Sequence, residues 1–400
     1  MNRSKIIITI RSTLGIIGLL VIVLLQSSCN KVDYTHMEAP AYLRVFNNLN
    51  YKPSMHIKDG KTPFFCMLIN PDVDASGKPR SAEIVGDFLD VRNDYAPPYP
   101  SHIGTSSTMN NPEFPGKDNI LVGPVLNGFD LSSWAQVPSG KVRIMFLYRP
   151  KNTVKYFDLD EQLQGDVIID TTLNLESTEV YTLHLLQKHF LNRTNTVILR
   201  QENFHKLTLS DSLVYVNFYN YSSEGFSTAD NSLKDEFATF RYGLKDRTNV
   251  YISLYADETN IGTYQTTGIP GYVGKFMTSM ERNSGSSAPA PYQSFPIWVN
   301  PKDDGIRTKL WQKIDFFASG IFPVNNPHAN NRNQDWEAVG FLSNRNIQIR
   351  PLSGTLPNML VNIHSGNHNP KTYATVNTVE VVNGYVYLTT IQRKYQPPIY

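Results

Sequence analysis

Apolar and polar residues alternate along most of this chain, and a period of two is the signature of a β-strand with one face in a core. Tyr42-Leu43-Arg44-Val45-Phe46 shows it, as do residues 141–148 (KVRIMFLY) and 179–185 (EVYTLHL). All three runs are rich in β-branched and aromatic residues. Gly, Pro, Asn or Asp bound each of them, and these are the residues that turn a chain. Helical periodicity is confined to short stretches at 232–242 and 309–317. The expected fold class is all-β. With 400 residues, 40% of them hydrophobic, there is length for two or three domains and apolar surface for their cores. A charged fraction of 18% excludes a coiled coil and a largely disordered chain.

The alternation starts only after an N-terminal segment of another kind. Arg3, Lys5 and Arg11 precede a twelve-residue apolar run, residues 14–25 (LGIIGLLVIVLL), and then Gln26-Ser27-Ser28-Cys29. A positive start, a short apolar stretch and small residues before a cysteine read as the signal peptide of a bacterial lipoprotein, cut before Cys29 and lipidated on its thiol. The run is shorter than the roughly 20 residues that span a bilayer. Residues 1–28 are therefore read as signal and 29–41 as lipidated cysteine and tether, placing the protein at the outer membrane, on its cell-surface or periplasmic face. Without the signal the chain has 34 cations against 35 carboxylates, a net charge of −1. Such a balance offers no electrostatic footprint for nucleic acid. Cys66 is the one thiol left, in the apolar stretch Phe64-Phe65-Cys66-Met67-Leu68-Ile69, and reads as a core residue without a disulfide.

The chain also repeats itself. Residues 42–50 (YLRVFNNLN) match 214–222 (VYVNFYNYS), with Phe46 on Phe218 and Asn48 on Asn220. Residues 137–144 match 356–363, and 183–190 match 388–395, in the same order. This predicts two related β-sandwich domains, 42–190 and 212–400, joined by a connector at 191–211 with room for a strand at 196–200. Long segments at 94–118 and 264–305 have little periodicity and read as loop insertions. A lipoprotein signal opening into YLRVFNNLN, a later VPSGKVRI strand and the repetition of both resemble the Bacteroidetes cell-envelope lipoproteins built from immunoglobulin-like domains of unknown function. That resemblance implies tandem immunoglobulin-like sandwiches and carries no catalytic residue. The second half keeps the proline, Pro357, without the glycine.

Candidate chemistry is sparse. Asp72, Asp74, Ser76, Gly77 and Glu83 have the spacing of a twelve-residue calcium loop, with oxygen ligands at alternate positions. Strand-like flanks, Pro79 and Arg80 favour an ordinary hairpin turn. His364 and His368 stand four apart, but Gly366 and Pro370 argue for a loop, and no third ligand lies nearby. His184 and His189 read as surface residues. Asp87, Asp90 and Asp94, or Asp158, Asp160 and Glu161, would be the carboxylates of a glycan-degrading enzyme. No nucleophile elbow, zinc-protease motif or phosphate loop is present in the sequence. Asp170-Thr171-Thr172 and Asp211-Ser212-Leu213 fit a three-residue O-glycosylation pattern. Tyr95 and Tyr99 fall in the 94–118 segment, Trp298, Trp311 and Trp336 fall in the long middle of the second half, and these aromatic side chains are the candidates for stacking on a glycan or anchoring a protein. The competing assignment is packing against the core. The leading expectation is a non-enzymatic, membrane-anchored binding or adhesion module that needs no cofactor. A fimbrial or pilus-type subunit and a glycan-degrading enzyme are the alternatives.

Overall fold

The computed structural model describes residues 37–400 apart from 50–63, 93–112, 117, 119, 211, 235–244, 256–267, 283–286, 297–310, 319–357, 362, 364–374 and 392–400. The fold is all-β, a stack of sheets with a few single 3-10 turns. In the first half, strands β1 (Ala41–Asn47), β4 (Glu113–Phe114), β7 (Ala135–Val137), β10 (Val180–His189) and β11 (Thr194–Glu202) form an inner sheet. Strands β2 (Phe65–Val73), β3 (Pro79–Leu89), β8 (Gly140–Tyr148) and β9 (Val167–Leu175) form an outer sheet in the order β3-β2-β8-β9. The short strands β5 (Val125–Leu126) and β6 (Phe129–Asp130) make a separate hairpin. In the second half, β12 (Leu213–Asn220), β15 (Gln293–Pro296), β18 (Val376–Val382) and β19 (Tyr385–Ile391) form the inner sheet. Its outer sheet is β14 (Lys275–Glu281), β13 (Arg247–Tyr255), β16 (Trp311–Ala318) and β17 (Asn358–Val361), in that spatial order.

Period-2 alternation builds each core. Leu43 and Val45 of β1, with Leu183 and Leu185 of β10, meet Phe65, Met67 and Ile69 of β2 and Ile144 and Phe146 of β8. Val214, Val216 and Phe218 of β12, with Val379 and Val381 of β18, meet Val250, Ile252, Ile314 and Phe316 of the second outer sheet. Cys66, from the opposite face of β2, packs with Leu68, Met145, Leu147, Tyr156 and Leu159 in a smaller cluster outside the first sandwich.

The strand order of the first half recurs in the second. Its first strand pairs parallel with the penultimate one in both: β1 with β10, from Tyr42↔Val180 to Asn47↔Leu185, and β12 with β18, from Tyr215↔Val376 to Asn220↔Val381. β2, β3, β7, β8, β9 and β11 correspond in the same way to β13, β14, β15, β16, β17 and β19. This corrects the alignment drawn from sequence. Pairing equates Tyr42 with Tyr215 and Asn47 with Asn220, one residue off the match of Phe46 with Phe218. A slip of one residue exchanges the faces of a strand: Phe218 lies in its own sandwich core, whereas Phe46 points away from its own. Asn47 and Asn220 show the true register, since Oδ1 of each accepts a hydrogen bond from the backbone N–H two residues on, of Leu49 and Ser222 respectively. The other two matches laid β8 on β17 and β10 on β19, which are not equivalent strands.

Three other expectations change. Residues 311–318 are strand β16, not a helical turn, and the 232–242 stretch has one 3-10 turn, Asn231–Leu233, before it leaves the described residues. The strand expected at 196–200 within the 191–211 connector is present as β11, but it is part of the first inner sheet, pairing with β10 from Val180↔Glu202 to His189↔Thr194. The 264–305 segment is not a single loop, because it carries β14 and β15.

Candidate functional site

Strands of both inner sheets are buried on both faces, and the faces turned away from the two sandwich cores meet each other. β1 contributes Tyr42, Arg44 and Phe46, β10 contributes Thr182 and His184, and β11 contributes Arg200 and Glu202, all buried. From the second half come Asn217, Tyr219, Tyr221, Glu380 and Tyr387. At one end the contact is apolar: Tyr42, Trp134, Val180, Phe204, Val376 and Ile391 cluster there. At the other end Leu186 and Ile198 pack on Tyr219, Tyr221, Val382 and Tyr385.

Between these apolar ends lies a charged network. Glu380 is fully buried, and its carboxylate accepts from the guanidinium of Arg92 and from Nη1 of Arg200 at 2.5 Å. Arg92 also donates to Thr389 Oγ1 at 2.8 Å, and its guanidinium lies between the rings of Phe46 at 3.8 Å and Tyr387 at 4.3 Å. Arg200 donates from Nη2 to Glu202 at 2.8 Å and from Nη1 to Tyr221 Oη at 3.1 Å, and it lies over the ring of Tyr219. Arg44 reaches Thr182 Oγ1 at 3.3 Å and stacks on Trp134 at 4.1 Å. Burial by itself would raise the pKa of Glu380, but Arg92, His184 and Arg200 outweigh it and hold this carboxyl well below the usual range. Burial pulls Arg44 down to about 10 against the opposing field of Glu202 and Glu113.

His184, read from sequence as a surface residue, is fully buried here. The alternation that made it look solvated is real, but its polar face meets a second sheet rather than water. Its Nδ1 is 3.0 Å from Asn48 Nδ2, and its Nε2 is 3.4 Å from Glu380. An amide nitrogen can only donate, so Nδ1 accepts, and the ring is the neutral tautomer with Nε2–H facing the carboxylate. Burial lowers its pKa to about 4, overcoming the pull of Glu380. His189 is half-exposed beside Glu224 at 3.0 Å.

The calcium-loop residues form a hairpin turn. Asp72 is in β2, opposite Ser81 of β3. Asp74 Oδ1 accepts from the N–H and hydroxyl of Ser76 and the N–H of Lys78, and Gly77 takes a φ of +85°. Glu83 accepts instead from Asn70 at 2.8 Å. Among the described residues no three His, Cys, Asp or Glu side chains converge on a common point. The first acidic cluster is divided among separate partners. Asp87 holds the guanidinium of buried Arg149 and the N–H of Tyr156, and Asp90 holds Lys151 at 2.5 Å. Asp158, Asp160 and Glu161 are exposed, around two 3-10 turns. Asp170 binds Arg143 in bidentate fashion at 2.9 and 2.7 Å on edge strand β9, beside Thr171 and exposed Thr172.

Of the candidate aromatics, Trp311 opens β16 and is only 6% exposed, so its ring is not available to a ligand. Tyr95, Tyr99, Trp298 and Trp336 lie outside the described residues, as do Cys29, Asp94, Asp211, His364 and His368. Their points of attachment are nonetheless defined. The 93–112 segment leaves from Arg92, whose N–H donates to Asn47 O, and returns at Glu113, which pairs with Phe46. Both are at the far end of β1 from Ala41. The 319–357 segment, with Trp336, joins Ala318 to Asn358, at the same end of the second half, where Ala318 pairs with Thr248 near the start of β13. The 297–310 segment, with Trp298, joins Pro296 to Trp311 at the opposite end, where the chain enters β1.

A scan against protein-family models finds none that matches the chain, and a search of curated proteins returns no match.

Proposed function

We propose that this chain is a lipid-anchored, non-enzymatic binding or adhesion module of the bacterial outer membrane, built from tandem immunoglobulin-like sandwiches and presenting one end of the stack to a glycan or protein ligand. The observation that carries this reading is the polarity of the molecule. Ala41 at the start of β1, the passage from Glu202 to Leu213 between the halves, and Ile391 at the end of β19 all belong to one end, where Tyr42, Phe204, Val376 and Ile391 form one cluster. A tether from Cys29 would attach there. Segments 50–63, 93–112, 235–244 and 319–357 all spring from the opposite end, about 20 Å away along seven-residue β1. Tyr95, Tyr99 and Trp336 belong to these segments, whereas Trp298 belongs to the 297–310 segment, whose flanking residues Pro296 and Trp311 are at the other end.

A glycan array probed with the signal-less chain tests this reading, with Trp336→Ala and Tyr99→Ala as distal variants. Binding lost in these variants, with unfolding midpoints unchanged, supports the module. Turnover of an arrayed glycan would replace it with the enzymatic reading, and polymerisation of the chain after proteolysis near its N-terminus would replace it with the fimbrial one.

A further inference from the structure

The inner faces of the two halves meet through equivalent positions. By strand register, Tyr42 corresponds to Tyr215, Phe46 to Tyr219, Thr182 to Thr378 and His184 to Glu380. Tyr42 and Tyr215 share one apolar cluster, and so do Val180 and its counterpart Val376. Residues His184 and Glu380, which occupy the same place in their respective halves, face each other at 3.4 Å. This is the arrangement of a two-fold interface in which each surface is a version of the other. The charges, however, are not symmetric. The first half places three buried arginines, Arg44, Arg92 and Arg200, and two glutamates, Glu113 and Glu202, in the network. With His184 neutral, its face carries +1. The second half supplies Glu380 alone, a charge of −1.

We infer that these faces form a charge-keyed interface that accepts only an unlike partner: a first half fits a second half and not another copy of itself. Two first-half faces would enclose +2 with no counter-ion. Two second-half faces would set one Glu380 against another without a guanidinium. Only the unlike pairing closes at neutrality, and a buried charge without its partner is strongly destabilising. The two halves are therefore a single folding unit rather than independent modules on a linker. Main-chain bonds reinforce the pairing, with Phe190 N–H donating to Glu224 O at 2.9 Å and Glu224 N–H to Lys188 O at 2.8 Å.

A double-mutant cycle on the full signal-less chain tests the inference, using Glu380→Gln, Arg92→Gln and the double variant, each followed by urea unfolding. Each single change leaves the interior one charge out of balance and lowers the midpoint. The double variant restores neutrality with two cations and two anions, and its midpoint lies above that of Glu380→Gln alone. A double variant whose loss equals the sum of the single losses overturns the inference. If Glu380→Gln does not fold, hydrogen exchange on the wild type decides. Amides of β8 and β16, one in each outer sheet, then open with the same free energy, and separate openings of the two halves overturn it.

Discussion

His184 shows how a single side chain ties this interior to pH. In the unfolded chain it titrates near 6.5; in the folded protein burial holds it at about 4. Between those values the unfolded chain takes up a proton that the folded protein refuses, so stability is full above pH 6.5 and falls as the pH drops towards 4. At about 1.4 kcal/mol per unit, this one group accounts for about 3 kcal/mol. The depressed carboxyl of Glu380 acts in the same direction at lower pH, contributing above its unfolded value and losing that contribution as acid protonates it. Urea midpoints measured at pH 7.5 and 4.5 therefore differ more in the wild type than in His184→Asn, and equal differences would contradict the assignment. Cys66 gives a second reading at this scale. Its thiol is fully buried, and burial raises its pKa well above the ordinary value. It reacts with a thiol reagent only as fast as the fold opens, so native protein stays unlabelled while protein in urea labels at once.

At the scale of strands and turns, the alternation that identified the fold could not say what each face met. Arg44, Thr182 and His184 look the same in sequence whether their side of the strand faces water or a second polar face. In the 309–317 stretch Trp311, Ile314 and Phe317 fall three apart, a helical spacing, yet β16 is central in its sheet, with Ile314 and Phe316 on one face and Trp311 and Phe317 flanking the buried Lys313–Asp315 pair on the other. Two sequence features do bear on this. Val382-Asn383-Gly384-Tyr385 joins two alternating runs through Asn-Gly, the pair that suits a two-residue hairpin turn, and both residues have positive φ, at 47° and 86°. Asn47 and Asn220 would have fixed the register of the repeat. Asn383 Oδ1 accepts from Ser223 N–H at 2.8 Å, so Asn383→Ala loses a hydrogen bond and strains a left-handed residue, at a cost of about 2 kcal/mol in chemical denaturation. Trp311→Ala removes a buried ring and costs about 3–5 kcal/mol, which makes it a measure of folding and not of ligand contact.

For the whole molecule, the proposed lipid anchor and the sheet stack make one combined expectation. Cys29→Ser abolishes incorporation of labelled fatty acid and leaves the chain unprocessed or released, while the released signal-less form keeps the wild-type unfolding midpoint, because the strands of the stack begin only at Ala41. Labelling that persists in the variant would refute the assignment of Cys29. Among the described residues, no helix is long and apolar enough to cross a membrane.

Two surfaces that meet through equivalent positions have the geometry of a dimer drawn into one polypeptide. In a dimer of identical chains, whatever stands on the axis meets its own kind, and a change there is made twice. Two copies joined end to end leave the two positions free to differ, and here they are His184 and Glu380. The freedom works in one direction only. Once the faces differ in charge, losing or exchanging either half strands the other with an unanswered ion, so neither half can be replaced alone.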